Sequence, residues 1–255
     1  MMGIFDFFRA NGADSPEKIT AQIQRLSDRA SDKRAQPYDR QEAIYALVGM
    51  KSVEAASALL RRLTFSCEPS ITDLEEKDTV FAAVVDVGPA ILPALRLVVR
   101  KADTLGWPLR IARAVLDEGV YVQEILAWLE PWDTEYSKFI DPKLQVLAAL
   151  ADVTNQAIPS AIERFLDDVN EEARFNTVAA LFMQNTDSPP LPLLRVLARD
   201  ESVRIRSRIA EELVAKRWPI PEYERGRVRK GLPSGFVIDG EGIMAKRASL
   251  ELPWL

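Results

Sequence analysis

The segment QVLAALADV at residues 145–153 carries the pattern that decides the fold. Its apolar residues surround small alanines at helical spacing, and a turn follows. Related segments recur at intervals of roughly 30 to 37 residues, namely AIYALVGM at 43–50, VFAAVVDVG at 80–88, RIARAVLDEG at 110–119, FNTVAALFMQ at 175–184 and, more loosely, RIAEELVAK at 208–216. A repeat of this period predicts an all-α fold, an α-α superhelix in which helical pairs stack on one another.

Helix start and stop signals divide the chain into pairs of helices. Ser15 followed by Pro16 predicts an N-terminal capping helix over residues 16–30. We expect about five pairs after it, at 39–50 with a second helix capped by Ser52, 74–87 with 89–101, 107–118 with 120–129, 141–153 with 158–168, and 171–184 with 190–198. Ser202 is expected to cap a last long helix that ends near Trp218.

The chain is therefore predicted to have three parts. Residues 1–38 form the N-terminal segment with the capping helix, residues 39–217 form a single repeat solenoid, and residues 218–255 form an irregular tail. The tail prediction rests on the glycines and prolines that appear once the helical period stops. Within the tail, Asp239-Gly240 lies between two short apolar runs, which is typical of a small β-hairpin.

Composition excludes several kinds of catalytic and metal site. The chain of 255 residues has no histidine and one cysteine, Cys67, which lies between two predicted pairs. The absence of histidine excludes imidazole metal ligands and Ser-His or Cys-His catalysis, and a single cysteine excludes an intramolecular disulfide. Paired carboxylates such as Asp167 and Asp168 lie at helix ends, where we interpret them as structural. We expect no enzyme activity, cofactor, metal or small-molecule substrate.

The two ends of the sequence bear on localisation. The chain starts without a basic leader and a signal-length apolar run, and no segment approaches the roughly 20 apolar residues of a membrane span. We therefore expect a cytoplasmic protein. Ile4, Phe5, Phe7 and Phe8 form an apolar cluster that we expect to dock on the first helices, and residues 250–255 are expected to be disordered or a peptide-like extension.

Two stretches carry a further family pattern. Asp200-Glu201-Ser202-Val203-Arg204 and Asn170-Glu171-Glu172-Ala173-Arg174, the latter followed by Ala180-Leu181, place an acidic or amide residue at a turn and an arginine and small alanine after it. The chain over roughly residues 39–216 resembles HEAT repeats, a family of armadillo-type helical repeats. That resemblance implies a non-enzymatic scaffold, an adaptor, inhibitor or assembly factor that binds another protein with the second helices of its pairs on a concave face.

The candidate partner-binding residues are those that point away from the apolar stripe of the second helices. Arginine suits carboxylate or phosphate recognition, and tryptophan offers a large contact area. The set comprises Arg61, Arg62, Arg96, Arg100, Trp128, Arg164, Arg195 and Arg199. The alternative interpretation is an ordinary solvated surface, which Glu54, Glu124, Glu163 and Asp167 neutralise.

Other functions stay open at this point. Residues 204–230 carry a net charge of +5 in a chain of net charge −5, so a basic C-terminal end is a candidate contact for nucleic acid or acidic protein. HEAT-like lyases and DNA glycosylases are a further alternative, whereas the HEAT-like hydroxylases need histidine ligands. The aromatic loop at 130–140 is a second candidate contact site.

Overall fold

The computed structural model describes residues 15–184 and 188–247. Within these ranges it contains helices and a single two-stranded sheet, which confirms the predicted all-α class. The helices are α1 (Pro16–Ala30), α2 (Pro37–Gly49), α3 (Val53–Leu59), α4 (Ser70–Asp86), α5 (Leu92–Val99), α6 (Gly106–Val115), α7 (Glu118–Leu129), α8 (Asp141–Ala149), α9 (Ile158–Ile162), α10 (Glu171–Met183), α11 (Leu191–Arg199), α12 (Val203–Lys216) and α13 (Glu222–Gly231).

Several second helices of the predicted pairs include tight 3-10 turns. Such turns follow α3 at Leu60–Thr64 and α9 at Glu163–Asp167, and one precedes α5 at Gly88–Ile91. The regular helices α3, α5 and α9 are therefore shorter than the segments predicted for them, although they lie within those segments. Gly88 has a positive φ of 64°, which is the reason that α4 stops there.

The chain divides into two compact units, and each is described by itself. Unit 1 takes in Met1–Ala102 and Gly106–Leu116, and unit 2 takes in Asp103–Leu105 and Asp117–Leu255. In unit 1, α2, α4 and α6 contact one another in order and make one layer. In the second layer α1 contacts α3, and α5 contacts the two 3-10 turns at Leu60–Thr64 and Gly88–Ile91. Helices two positions apart in the chain are thus neighbours.

Unit 2 is also built in two layers. One layer contains α8, α10 and α12, and the other contains α7, α9, α11 and α13. Its core is made of fully buried residues from both layers, among them Val146, Phe165, Leu181 and Leu213. The antiparallel hairpin of β1 (Phe236–Ile238) and β2 (Met244–Lys246) lies at the end of this unit, where β2 packs on α12.

Side-chain caps fix the starts of the repeated helices. The Ser52 hydroxyl accepts a hydrogen bond from the Ala55 amide, and the Ser202 hydroxyl accepts one from the Ile205 amide. The Asn170 side chain does the same for the Ala173 amide. Each cap satisfies an amide that has no partner inside its helix, so the predicted caps Ser52 and Ser202 are confirmed, whereas Ser15 precedes α1 without a side-chain cap hydrogen bond.

The predicted irregular tail is only partly irregular. Residues 222–231 form α13, which packs against α11, so the prediction of a non-helical tail is wrong over this stretch. The helix was missed because its sequence, EYERGRVRKG, has two glycines and few apolar residues. The predicted hairpin after it is confirmed, with Val237 paired to Ala245.

Two predictions concern residues outside the described ranges. These are the docking of the apolar cluster at Ile4, Phe5, Phe7 and Phe8, and the extension at 250–255. Among the helices that the structure describes, none alone is long and apolar enough to cross a membrane; the segments 70–86 and 88–99 reach that length and composition only jointly, with a bend of 112° between them.

Candidate functional site

Arg62, one of the predicted contact residues, lies in the interior of unit 1. Its side chain is fully buried, and its Nε lies 2.6 Å from Oε2 of Glu76. Its Nη2 donates to Oδ1 of Asp73 at 2.6 Å. Arg40 of α2 donates to the same Glu76, and Lys77 pairs with Asp73 at 2.7 Å. The prediction that Arg62 is a surface contact is therefore wrong, because it belongs to a buried ion-pair cluster that joins α2 and α4 to the turn at Leu60–Thr64.

The buried cluster shifts the titration of its members. Burial would raise the pKa of Asp73, but hydrogen bonds from Lys77, Arg62 and Cys67 outweigh it and lower this pKa to about 2. Burial raises the pKa of the Cys67 thiol, which donates to Asp73. Cys67 is thus held as a neutral thiol, in agreement with its interpretation as a packing residue in a loop.

A related set of cations lies in unit 2 at the starts of α8, α10 and α12; Lys143 and Arg174 are buried and Arg206 is half-buried. Nζ of Lys143 lies 2.6 Å from Oδ2 of Asp168, and both side chains are fully buried. Arg174 binds Asp200 through two hydrogen bonds of 2.9 and 3.2 Å. Arg206 donates to the carbonyl of Gly231 at 2.9 Å. Each cation therefore ties the start of one helix to the loop or helix end that follows it by 25 or 26 residues.

This set corrects the register of the repeat. The sequence pattern aligns Arg174 with Arg204, but the caps Asn170 and Ser202 align it with Arg206. Arg204 is exposed, pairs with Glu172 at 2.7 Å and lies over the ring of Phe175 at 3.8 Å. The structural cation is two residues further along the helix, where the side chain points into the core.

Trp128 is also buried, with 7 % of its surface exposed. Its indole N–H donates to Oε1 of Glu124 at 2.8 Å, and Glu124 is itself buried. The prediction of an exposed tryptophan on the contact face is wrong, as is the interpretation of Glu124 as a surface charge. The N–H and carboxylate pair on one turn of α7 satisfies two polar groups inside the unit.

The other predicted residues of unit 1 are exposed but do not form one cluster. Arg61 pairs with Asp28 of α1 at 2.7 Å. Arg96 and Arg100 lie four residues apart at the end of α5, and both are exposed. An isolated exposed pair such as Arg61 and Asp28 contributes at most about 1 kcal/mol, so Arg61 has little structural role.

In unit 2 the structure brings the predicted residues together. Arg195 and Arg199 form one exposed row on α11, because residues four apart lie on the same face of a helix. Arg199 pairs with Asp167, at the end of the preceding turn of the same layer. Arg164 is exposed three residues before Asp167 and lies 4.6 Å from the ring of Phe165. These three arginines share the outer side of the layer.

Helix α13 extends this surface, and sequence reasoning missed it. The backbone of α13 at Gly231 approaches α11 so closely that a Cβ there would lie 2.5 Å from the carbonyl oxygen of Leu197. Gly231 faces α11, and Tyr223, Arg227 and Lys230 are exposed on α13, as Arg195 and Arg199 are on the contacting helix α11. We call these five residues the basic face. The 3.6-residue spacing of 223, 227 and 230 is the signal that could have found it.

The basic face combines cations with apolar and acidic groups. Tyr223 is 72 % exposed, and Leu191 one turn before Arg195 is 38 % exposed. Arg227 pairs with Glu224 at 3.2 Å, and Arg199 with Asp167. Arg195 and Lys230 pair with no carboxylate of the described residues. The face therefore offers two uncommitted cations next to an aromatic ring, which suits recognition of carboxylates.

A recess of about 270 Å³ opens beside the basic face, lined by Asp167, Arg174, Val196 and Arg199 among others. The aromatic loop before α8 is a separate surface, with Tyr136 83 % and Phe139 62 % exposed. Among the described residues no group of three Cys, Asp or Glu side chains is arranged to hold a metal ion. Comparison of the chain with protein-family models, with curated proteins and with solved structures finds no match.

Proposed function

We propose that this protein is a non-enzymatic, HEAT-like helical-repeat scaffold that binds an acidic segment of another protein on the basic face. The observation that carries the proposal is that two contacting helices of one layer, α11 and α13, both expose cations, Arg195, Arg199, Arg227 and Lys230, with Tyr223 also exposed. The axes of packed helices lie about 8–10 Å apart, a separation that a bound peptide or helix can span. Tyr223 supplies the aromatic anchor that such interfaces use.

The mixed character of the face favours protein over nucleic acid. Asp167 and Glu224 already hold two of the four cations. A phosphate backbone gains affinity from a continuous row of cations, and carboxylates within that row oppose it. An acidic protein segment instead needs a few cations next to apolar contacts, which Leu191 and Tyr223 offer.

The proposal is tested by affinity capture followed by reconstitution with the identified partner. The variant Arg195→Glu with Lys230→Glu reverses the two cations that have no carboxylate partner. The matched control, Arg100→Glu with Lys101→Glu, reverses two exposed cations of unit 1. We expect the purified partner to bind the control like the wild type and the basic-face variant at least about tenfold more weakly, since a desolvated charge contact is worth that much.

Cross-linking and salt titration complete the test. The cross-links of the partner should fall on α11 and α13, and its contact segment should be acidic. Equal binding by both variants would refute the proposal. If instead a 16-base DNA or RNA probe binds more tightly than any protein and loses affinity steeply with salt, the basic face is a nucleic-acid contact.

A further inference from the structure

A second surface of unusual composition lies on unit 1, on the outer side of α2 and α4. Four large apolar side chains are exposed there. Tyr38 and Tyr45 of α2 are 74 % and 61 % exposed, and Ile71 and Leu74 of α4 are 72 % and 54 % exposed. Scattered exposed apolar residues are normal, but four of them on two contacting helices form a patch.

One of the four, Tyr45, lines a shallow groove between the two helices. The groove is lined by Gln41, Tyr45, Glu75 and Thr79, with Ile44 and Glu76 at its floor. Tyr38 lies one turn before Gln41 in the row that ends at Tyr45, and Ile71 lies one turn before Glu75. These two residues therefore extend the walls of the groove. We call this surface the α2/α4 groove.

The exposed charged side chains of these two helices are all acidic. Their basic side chains, Arg40 and Lys77, are both buried in the ion-pair cluster. The exposed charges that remain on α2 and α4 are carboxylates, those of Glu42, Glu75, Asp78 and Asp86. Arg29 of α1 pairs with Asp39 at 2.6 Å and approaches Glu42 at 3.7 Å, which leaves the α4 side acidic. The groove thus combines the exposed ring of Tyr45 with polar and acidic side chains, and the exposed charges near it on α4 are negative.

We propose that the α2/α4 groove binds a basic amphipathic helix of a protein partner. An extended peptide gains main-chain hydrogen bonds only from an open strand edge, and the backbone of α2 and α4 is bonded within the helices. A helix instead presents apolar residues at i, i+3 or i+4 and i+7, the spacing that places Tyr38 and Tyr45 on one row. Lysines and arginines at its flanks complement Glu75 and Asp78.

The negative charge around the α2/α4 groove indicates which kind of partner it binds. An anionic membrane surface attracts lysine and arginine, and an acidic rim opposes such binding. The same argument disfavours an acidic helix, because like charges that face each other across an interface weaken binding. This inference does not depend on the proposed function, since the two surfaces lie on different units, use different residues and carry opposite charge.

A selection experiment with the full-length protein tests the groove. A displayed library of 16-residue helical peptides, randomised on one face and at its flanks, is selected on the wild type and counter-selected on Tyr45→Ala with Ile71→Ser. We expect the enriched peptides to have apolar residues at helical spacing and an excess of lysine and arginine. A selection that enriches no helical peptide, or enriches acidic ones, overturns the proposal.

Individual peptides are then measured by fluorescence anisotropy against matched variants. Tyr45→Ala is expected to weaken binding about tenfold, and Glu75→Lys about threefold or more with a reduced salt dependence. The controls Tyr136→Ala and Glu163→Lys change an exposed tyrosine and an exposed carboxylate of unit 2. Circular dichroism verifies that each variant is folded. If the controls weaken binding as much as the groove variants, the peptides bind elsewhere and the proposal fails.

Discussion

Nε of Arg62 lies 2.6 Å from Oε2 of Glu76, and both side chains are fully enclosed in unit 1. The same carboxylate accepts from Nε of Arg40 at 3.1 Å, so one glutamate of α4 holds two arginines from different segments of the chain. Together with Lys77, which pairs with Asp73, three cations share the two carboxylates Asp73 and Glu76. Such a cluster is sensitive to the loss of one member, because the partner that is left keeps a buried charge.

Arg62→Met is expected to destabilise unit 1 by about 3–5 kcal/mol, since Glu76 and Asp73 each lose a buried charge-assisted hydrogen bond and keep Arg40 and Lys77 as cationic partners. The neighbouring change Arg61→Met removes an exposed arginine and is expected to cost less than about 1 kcal/mol. Urea unfolding followed by circular dichroism measures both. Equal costs for the two variants would contradict the structure.

The stability of unit 1 should fall with acid in a way that depends on Asp73. Its pKa is about 2 in the folded protein and about 3.9 in an unfolded chain. Because the folded pKa is the lower one, the stabilisation is complete above about pH 4 and is lost as the pH falls toward 2, by roughly 2 kcal/mol. Asp73→Asn lacks this carboxyl, so its unfolding free energy should fall less between pH 5 and pH 2. Parallel curves for the two proteins would exclude this role.

The buried pair of Lys143 and Asp168 predicts non-additive substitutions. Lys143→Met leaves Asp168 as a buried carboxylate and is expected to cost about 3–5 kcal/mol. Adding Asp168→Asn removes that charge and keeps an acceptor for the Asn170 amide. The double variant should therefore be more stable than Lys143→Met alone, with a coupling of about 1–3 kcal/mol. Chemical denaturation of the four proteins in this cycle provides the measurement, and additive costs would rule out the pair.

Two glycines of α13 make a matched comparison. Gly231→Ala places a methyl group within 2.6 Å of the backbone of α11, so α13 must shift and the variant should lose about 1–3 kcal/mol. Gly226→Ala meets open space in a helix interior and should gain up to about 1 kcal/mol. Thermal unfolding measures both, with hydrogen exchange of α13 as the local readout. A stable Gly231→Ala variant would show that α13 is not packed as described.

The sequence allowed the helical segments to be predicted because their signals are local. Pro16 at the start of α1 and the caps Ser52 and Ser202 act within one turn of the chain, and the Asp239-Gly240 turn lies between the two strands. Helix α13 has no side-chain cap, and its helical spacing is carried by polar rather than apolar residues. It is held by packing against α11 at Gly231, a contact between residues more than 30 positions apart that no local pattern encodes.

The contact residues were harder to predict because an arginine in a helix can be exposed as a contact residue or buried in an ion pair. Arg61 and Arg62 are adjacent in the chain, and one is exposed while the other is fully buried. What separates them is the position of Glu76, 14 residues after Arg62, and the direction of the turn at Leu60–Thr64. Trp128 was misplaced for a similar reason, since Glu124 one turn earlier satisfies its indole and permits burial.

The enclosure of Lys143 and Lys77 has a consequence for chemical labelling. Both amines are surrounded by protein atoms, whereas Lys51, Lys101 and Lys230 face the solvent. An amine-reactive ester should therefore modify such exposed lysines rapidly and react with Lys77 and Lys143 only when the surrounding structure opens transiently. The labelling rate of Lys77 then reports how often unit 1 opens, and the labelling rate of Lys143 reports the same for unit 2.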